Sequence, residues 1–342
     1  MPTTIKDIAR QAGVAHTTVS RALRDSPLIS AKTTERIKII AEELGYHPSV
    51  AARSLRTNRS QALGVIVSNI ADPFFSEILQ GIDDIAQQRG YSLFIAAAQH
   101  DWAREKGIVH TMREHRVDGV IICSTPFSTF QSQQLVESGI PIVVVNNQAV
   151  EEYRYSIYHD DVDGGRQITR HLIDLGHTSI AFLGNSLSQR ATTARLSGFK
   201  LEMEAAGLFI PEEYIHHEAG GEPANGIAGL DYFLDLSEFP TAIICFNDMM
   251  AIGVLKGLQQ AHIDVPERCS LTGFDNITFS AYTNPTLSTF DQPKRYLGEE
   301  AARLILGMLD KRTGEVIPNS KSLTIKGRLL IRNSTGRPEL KY

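Results

Sequence analysis

His16, Thr17, Ser20 and Arg21 fall within six consecutive residues, and a helix through them sets a row of hydrogen-bonding groups on one surface. A guanidinium fork matches the paired acceptors of a guanine edge, and short polar side chains at a helix N-terminus reach the neighbouring base edges. The chemistry on offer is major-groove reading, with Arg21 as the guanine reader and His16 and Thr17 beside it. Taken alone, such a helix also reads as an amphipathic surface helix with solvated arginines; its flanks argue against that. A second set of polar residues follows short apolar runs: Asp72, Asp101, Ser124, Asn146, Asn147, Asn247, Asp248 and Asp275. Parallel α/β sheets bind ligands beyond the carboxyl ends of their strands, so these positions are candidates for contact with a small molecule. Several have a quieter alternative. Asp72 precedes Pro73 and suits a helix cap, Asp101 reads better as a cap than as a ligand contact, and Asp248 reads as a helix opener that leaves Asn247 the better candidate.

The elements that must position the first set are three short helices. Thr4 caps a helix over 5–12, with Asp7 in its first turn, where a negative charge is favoured. Ala9, Gly13 and Val19 have the spacing of a helix-turn-helix: a small residue for close packing, a glycine for a left-handed turn, and a branched residue in the joint. The recognition helix, 16–24, buries Val19, Ala22 and Leu23. A third helix runs from a Ser30 cap to about Leu44, with Ile37, Ile40, Ala41 and Leu44 inward, and stops at Gly45. After Tyr46, Pro48 opens a helix of about two turns over 49–56, too short to be stable alone, so it should order only against a partner helix or DNA. Ala51 and Ala52 allow close approach, Arg53 and Arg56 can meet phosphates, and Leu55 can unstack a base step. The alternative is a flexible linker whose leucine packs on the body. The expected DNA-facing set is Thr4, His16, Thr17, Ser20, Arg21, Tyr46, Ala52 and Leu55.

Charge follows the same division. Residues 1–59 hold ten Lys and Arg against five Asp and Glu, a net of +5, so the rest of this −5 chain carries −10. A basic head on an acidic body offers only one end to phosphate. From Gln61 onward apolar runs at 62–67, 92–97, 119–123 and 142–145 alternate with helical stretches at 74–89, 102–115 and 128–138. After Gly164 and Gly165 a second series follows: helices 166–175, 192–206, 225–236 and 248–261, and strands 180–183, 214–218, 242–245 and 270–273, with a terminal strand at 322–331. Two successive strand-helix series mean two doubly wound parallel sheets, a bilobed α/β clamp.

The segments Thr-Ile-Lys-Asp-Ile-Ala-Arg-Gln-Ala-Gly-Val at 4–14, Thr-Val-Ser-Arg-Ala-Leu at 18–23, Ala-Glu-Glu-Leu-Gly-Tyr-His-Pro at 41–48 and Ala-Ala-Arg-Ser-Leu-Arg at 51–56 make the chain resemble the LacI/GalR family of bacterial transcription regulators along its whole length. The resemblance implies an α/β fold class with an all-α helix-turn-helix head (1–46), a hinge helix and linker (47–60), and a periplasmic-binding-protein-like type I body (61–342). The first lobe is expected at about 61–160 and 291–320, the second at about 161–290 and 321–336. It also implies that Leu55 is the residue wedged into the minor groove by paired hinge helices. Positions matching the family's effector cleft include Asp72, Ser124, Asn247, Asp275, Arg195 and the pair Asp160 and Asp161. Their chemistry suits a polyol: Arg195 and Asn247 donate to hydroxyl oxygens, Asp72 and Asp275 accept from hydroxyl hydrogens, and Phe74 covers a sugar face. Arg195 on a helix could instead be a surface residue. Where purine-binding members carry an aromatic residue that stacks on the base, this chain has Gly220 and Gly221, a departure that counts against a purine.

No dinucleotide, P-loop, nucleophile-elbow or zinc-protease motif is present, and Cys123, Cys245 and Cys269 are too dispersed for a zinc site. The expectation is a non-enzyme with no cofactor and no metal. With no export signal and no run of eighteen apolar residues, a cytoplasmic, nucleoid-associated protein is expected, with no membrane partner. The expected partners are palindromic double-stranded operator DNA, a second copy of the chain and a small effector, most simply a sugar. The helix with Phe75, Ile78, Leu79 and Ile82 is a candidate dimer surface, some of which must be core. No C-terminal leucine heptad suggests a tetramer. The alternatives are an effector-independent architectural DNA-binding protein and a regulator answering to a nucleoside or purine.

Overall fold

A computed structural model describes residues 3–46, 59–99, 101–123, 139–146, 155–310 and 321–339. The chain divides into two compact units, Met1–Ser60 and Gln61–Tyr342. The first contains α1 (Ile5–Ala12), α2 (His16–Ala22) and α3 (Ala31–Glu43). Gly13 closes α1 at φ 63°, a left-handed conformation that glycine adopts without penalty. Ile8, Ala9, Ala12, Val19, Ala22, Ile37 and Ala41 form the core where the three helices meet. The Ser30 hydroxyl accepts from the Thr33 amide and starts α3. The helix-turn-helix read from Ala9, Gly13 and Val19 is the one observed.

The second unit is built around two six-stranded sheets. The first contains β1 (Ala62–Val67), β2 (Ser92–Ala97), β3 (Gly119–Cys123), β4 (Ile142–Val145), β5 (Tyr155–His159) and β11 (Lys321–Ile325), in the order β11-β5-β4-β3-β1-β2, parallel throughout. The second contains β6 (Ile180–Asn185), β7 (Ile215–Glu218), β8 (Ala242–Cys245), β9 (Ser270–Asp275), β10 (Ser288–Asp291) and β12 (Arg328–Leu330), in the order β12-β10-β9-β8-β6-β7, with only β12 antiparallel. Each sheet reverses strand order beside its first strand, and such a switch point opens a crevice at the carboxyl ends. The helices that pack on the sheets are α4 (Pro73–Gln88), α5 (Trp102–Glu114), α6 (Asp161–Asp174), α7 (Gln189–Ala205), α8 (Pro223–Leu234), α9 (Asp248–Gln260) and α10 (Lys294–Leu309).

Three departures from the sequence reading bear on the site. Strand β5 had no place in that reading, and Gly164 and Gly165 lie inside α6 rather than ahead of it. A Cβ on Gly165 would lie 2.3 Å from the Arg195 carbonyl oxygen, so this glycine lets α6 and α7 touch along their backbones, while Gly164 makes room for the Phe274 and Phe290 rings. The expected strand over 322–331 is two strands, and β11 extends the first lobe to Ile325, past the expected limit of 320. Among the described residues the chain thus passes between sheets three times, after β5, after β10 and after β11. Phe75, Ile78 and Ile82 are core residues of the first lobe, where α4 meets α10, and only Leu79 of the candidate dimer surface is partly exposed.

Candidate functional site

On the head, His16, Thr17 and Arg21 are exposed along α2, and Arg21 has no hydrogen-bond or ion-pair partner among the described residues. Its fork is available to a base edge. Ser20 is already engaged, because Arg24 donates through Nε to the Ser20 carbonyl oxygen at 2.6 Å and through Nη2 to its hydroxyl. Thr4 donates its hydroxyl (2.6 Å) and its backbone amide (3.0 Å) to Asp7 Oδ2, and these bonds hold the Asp7 carboxyl below its usual range. Tyr46 packs against the head's core, and burial pushes its phenol up. Ala52 and Leu55 lie outside the described residues.

In the body, the carboxyl ends of β5, β6, β8 and β9 bring together the residues that could hold a small molecule. The centre is Arg195 on α7, 3% exposed, whose guanidinium lies over the Phe274 ring at 3.7 Å and the Phe246 ring at 4.5 Å. Its Nε donates to Asp161 Oδ1 at 2.7 Å, its Nη1 donates to the Phe246 carbonyl oxygen, and its Nη2 stands 3.9 Å from Asp275 Oδ1. Asp161 also meets His159 Nε2 at 2.8 Å. Burial alone would raise the Asp161 carboxyl, but His159 and Arg195 outweigh it and hold the group at about 2. Asp275 lacks such compensation: burial raises it well above the carboxylate range, Arg195 pulls down, and Asp248 and Asp72 push up. Its backbone is at φ 111°, followed by Asn276 at 51°, two successive conformations that side-chain-bearing residues rarely adopt. Strain at a strand end beside a buried arginine is a mark of a functional site.

The second wall is made of amides. Asn185 ends β6 and Asn247 caps α9, each using its Oδ1 as a cap, on the Leu187 and Met250 amides respectively. Their amide nitrogens converge on Gly221, where an added Cβ would lie 2.9 Å from Asn247 Nδ2 and 3.2 Å from Asn185 Nδ2. Across from them, Asn69 after β1 donates from Nδ2 to Glu222 Oε1 at 3.3 Å, linking the two lobes. Asp72 caps α4 through the Phe74 amide at 3.0 Å, and burial together with Glu222 raises its carboxyl above its usual range.

Asp161, Arg195, Asn247 and Asp275 are therefore gathered in one place, with Asp72 electrostatically coupled to Asp275. Asp160 is exposed and caps α6 through the Asp163 amide, and Asp101 is likewise a cap. Phe74 does not offer an open face: it is 5% exposed and packed edge-on to Phe75 in the first-lobe core. Asn146 follows β4 with a left-handed φ of 57°, and Ser124 and Asn147 lie outside the described residues. Sequence reasoning passed over His159, Asn185, Gln292 and Lys294. Asn185 alone carried a usable signal, a polar residue closing the apolar run 180–183. Among the described residues no group of His, Cys, Asp and Glu could hold a metal ion, and no helix is long and apolar enough to cross a membrane.

Residues 4–49 match the family model of bacterial regulatory proteins, lacI family, and residues 169–335 match that of a periplasmic binding protein-like domain. The HTH-type transcriptional repressor PurR of Vibrio vulnificus is 33% identical over 92% of this chain and 96% of its own length. Among solved structures, the lac repressor dimer bound to operator and the anti-inducer ONPF superposes with a TM-score of 0.86 at 26% identity, covering 98% of this chain and 100% of that one. The complex of the transcriptional regulator CelR with cellobiose superposes at 0.72 and 27% identity, covering 97% and 99%.

Proposed function

The chain belongs to the lacI family of bacterial regulatory proteins, as a DNA-binding repressor under small-molecule control, and we propose that its effector is a neutral sugar held by Asp161, Arg195, Asp275, Asn185 and Asn247. The observation that carries this reading is the convergence of two amide groups on Gly221. A wall of amide donors suits hydroxyl oxygens, and with no side chain at 221 there is nothing on that side to stack on a planar base. The cellobiose bound by CelR is in keeping with it. Two copies of the chain bind operator DNA together, each reading a half-site through His16, Thr17 and Arg21, with the segment 47–60 as the hinge; the lac repressor relative is a dimer on its operator. Such a protein works in the cytoplasm, where its operator is.

A thermal-shift panel of neutral mono- and disaccharides, sugar phosphates, nucleosides and purine bases tests the effector. A neutral sugar at 100 times its dissociation constant is expected to add about 2.7 kcal/mol. A response confined to nucleosides or purines overturns the sugar reading, and silence across the panel favours an architectural protein without an effector. Gly221→Ala should weaken sugar binding at least tenfold in calorimetry while leaving the melting temperature within a degree or two, because its Cβ displaces only the ends of two asparagine side chains. Arg21→Ala, measured by anisotropy on an operator selected from random duplexes, should cost about 1–3 kcal/mol and relax preference at one base pair per half-site. Uniform weakening on all sequences would instead make Arg21 a phosphate contact.

A further inference from the structure

The strained backbone at Asp275 and Asn276 is held by a cation from outside its own strand. Lys294, 2% exposed at the start of α10, donates from Nζ to the Asp275 carbonyl oxygen at 2.5 Å, to Asn276 O at 3.0 Å and to Gln292 O at 3.4 Å. Gln292 in turn donates from Nε2 to Asp275 Oδ1 at 2.5 Å. Asp275 is thus fixed twice from one short segment, its main chain by Lys294 and its carboxylate by Gln292. That segment is the second passage between the lobes, joining β10 to α10.

Lys294 Nζ also stands 3.4 Å from Glu77 Oε1 on α4. Helices α4 and α10 touch along their backbones at two glycines: a Cβ on Gly81 or on Gly298 would lie 2.1 Å from the carbonyl oxygen of Arg295 or of Ile78, respectively. Packing that close leaves α10 little room to move without α4. A buried ammonium needs its charge matched, and here the matching groups belong to different lobes: three carbonyl dipoles at the cleft and one carboxylate on the first-lobe helix.

We propose that Lys294 is a positioning residue that transmits the state of the Asp275 carboxyl to α4, and so couples the effector cleft to the first lobe. The inference rests on the reading of Asp275 as an effector contact, but its test needs no effector. The first lobe is the one entered directly from the segment 47–60, since β1 begins at Ala62, so a load on α4 acts on the part of the body nearest the hinge in the chain.

Hydrogen–deuterium exchange of the full chain, read on peptides spanning 73–88, measures the coupling. Asp275→Asn, which replaces the titratable carboxyl by an amide of the same shape, is expected to change exchange in that helix at least threefold in the otherwise native protein. In a Glu77→Gln background the same substitution should change it less than 1.5-fold. Glu77 is partly exposed, so this background is not at risk of unfolding; Lys294→Met is the more severe version and should give the same loss of response. If Lys294 were merely structural, both backgrounds would shift baseline exchange yet keep the full threefold response to Asp275→Asn. That result overturns the proposal, as does a native background in which Asp275→Asn leaves α4 unchanged. A sugar panel that fails while the exchange coupling holds refutes the effector and spares the connection.

Discussion

Replacing Arg195 by methionine is expected to lower the free energy of unfolding at pH 7 by about 3–5 kcal/mol and to abolish stabilisation by the effector. The size follows from what the guanidinium leaves behind. Methionine fills much of the slot between Phe246 and Phe274, so little of the loss is cavity. The Phe246 carbonyl oxygen loses a donor, Asp161 loses its guanidinium partner while the contact with His159 stays, and Asp275 loses its nearest cation. The Asp161 carboxylate then sits beside Asp275 in a site that burial already makes unfavourable for charge. Breaking a buried pair from one side is costly because the remaining charge cannot leave. Lysine should recover only a small part, since a single ammonium cannot address Asp161, Asp275 and a carbonyl oxygen at once. Denaturant unfolding of the three proteins measures this. A change within about 0.5 kcal/mol, the usual result at a surface position, would restore the reading of Arg195 as a solvated helix residue. The acid limb gives an independent check. Asp161 is depressed to about 2 from 3.8, so the stability it contributes is present above 3.8 and lost as pH falls through about 2. In Arg195→Met that loss should begin at higher pH.

Legibility in this chain follows how local each decision is. The head is written in neighbouring residues: caps at Thr4 and Ser30, a left-handed turn at Gly13 and inward faces at helical spacing. The buried parallel strands are legible for the same reason, because a strand covered on both faces is a continuous apolar run. Strand β5, Tyr-Ser-Ile-Tyr-His, lies next to last in its sheet and lacks such a run, so its pairing with β4 and β11 decides it and its own residues do not. Gly164 and Gly165 read as punctuation because glycine disfavours helices, yet the close approach of the Phe274 ring to Gly164 and of α7 to Gly165 is worth more than the propensity. The site divides along the same line. Asp275 and Asn247 follow apolar runs and could be found. Gln292 and Lys294 sit on a passage between sheets, and nothing in their neighbours says which lobe the chain is leaving. Phe74 looks equally suited to a cleft or a core in the sequence, and only the first-lobe cluster it shares with residues of α10, over two hundred residues later, places it in the core.

Asp248→Asn is expected to gain about 3 kcal/mol over the native protein between pH 5 and pH 8, a dependence opposite in sign to that of a salt-bridged carboxylate. Asp248 opens α9 at 0% exposure. Burial pushes its carboxyl to about 7, against hydrogen bonds from Thr289 and Ile277 and the charges of Lys294 and Arg332 that pull it down. A helix N-terminus also favours the anion, so burial prevails over every electrostatic neighbour that opposes it. With the folded value above the unfolded 3.8, the native state holds the proton more tightly. Its stabilisation is complete below 3.8 and is lost as pH rises through 7. Asparagine removes this titration and keeps both contacts: its amide oxygen can accept from Ile277 N, now 2.8 Å from Oδ2, and its amide nitrogen can donate to Thr289 Oγ1, now 2.6 Å from Oδ1. Asp275 is raised in the same direction, but it is present in both proteins and largely cancels in the difference between them. Unfolding free energies of both proteins at the two pH values isolate the effect. A difference that stays constant with pH would mean that Asp248 remains ionised in the fold, and that the bonds from Thr289 and Ile277, rather than burial, set its charge.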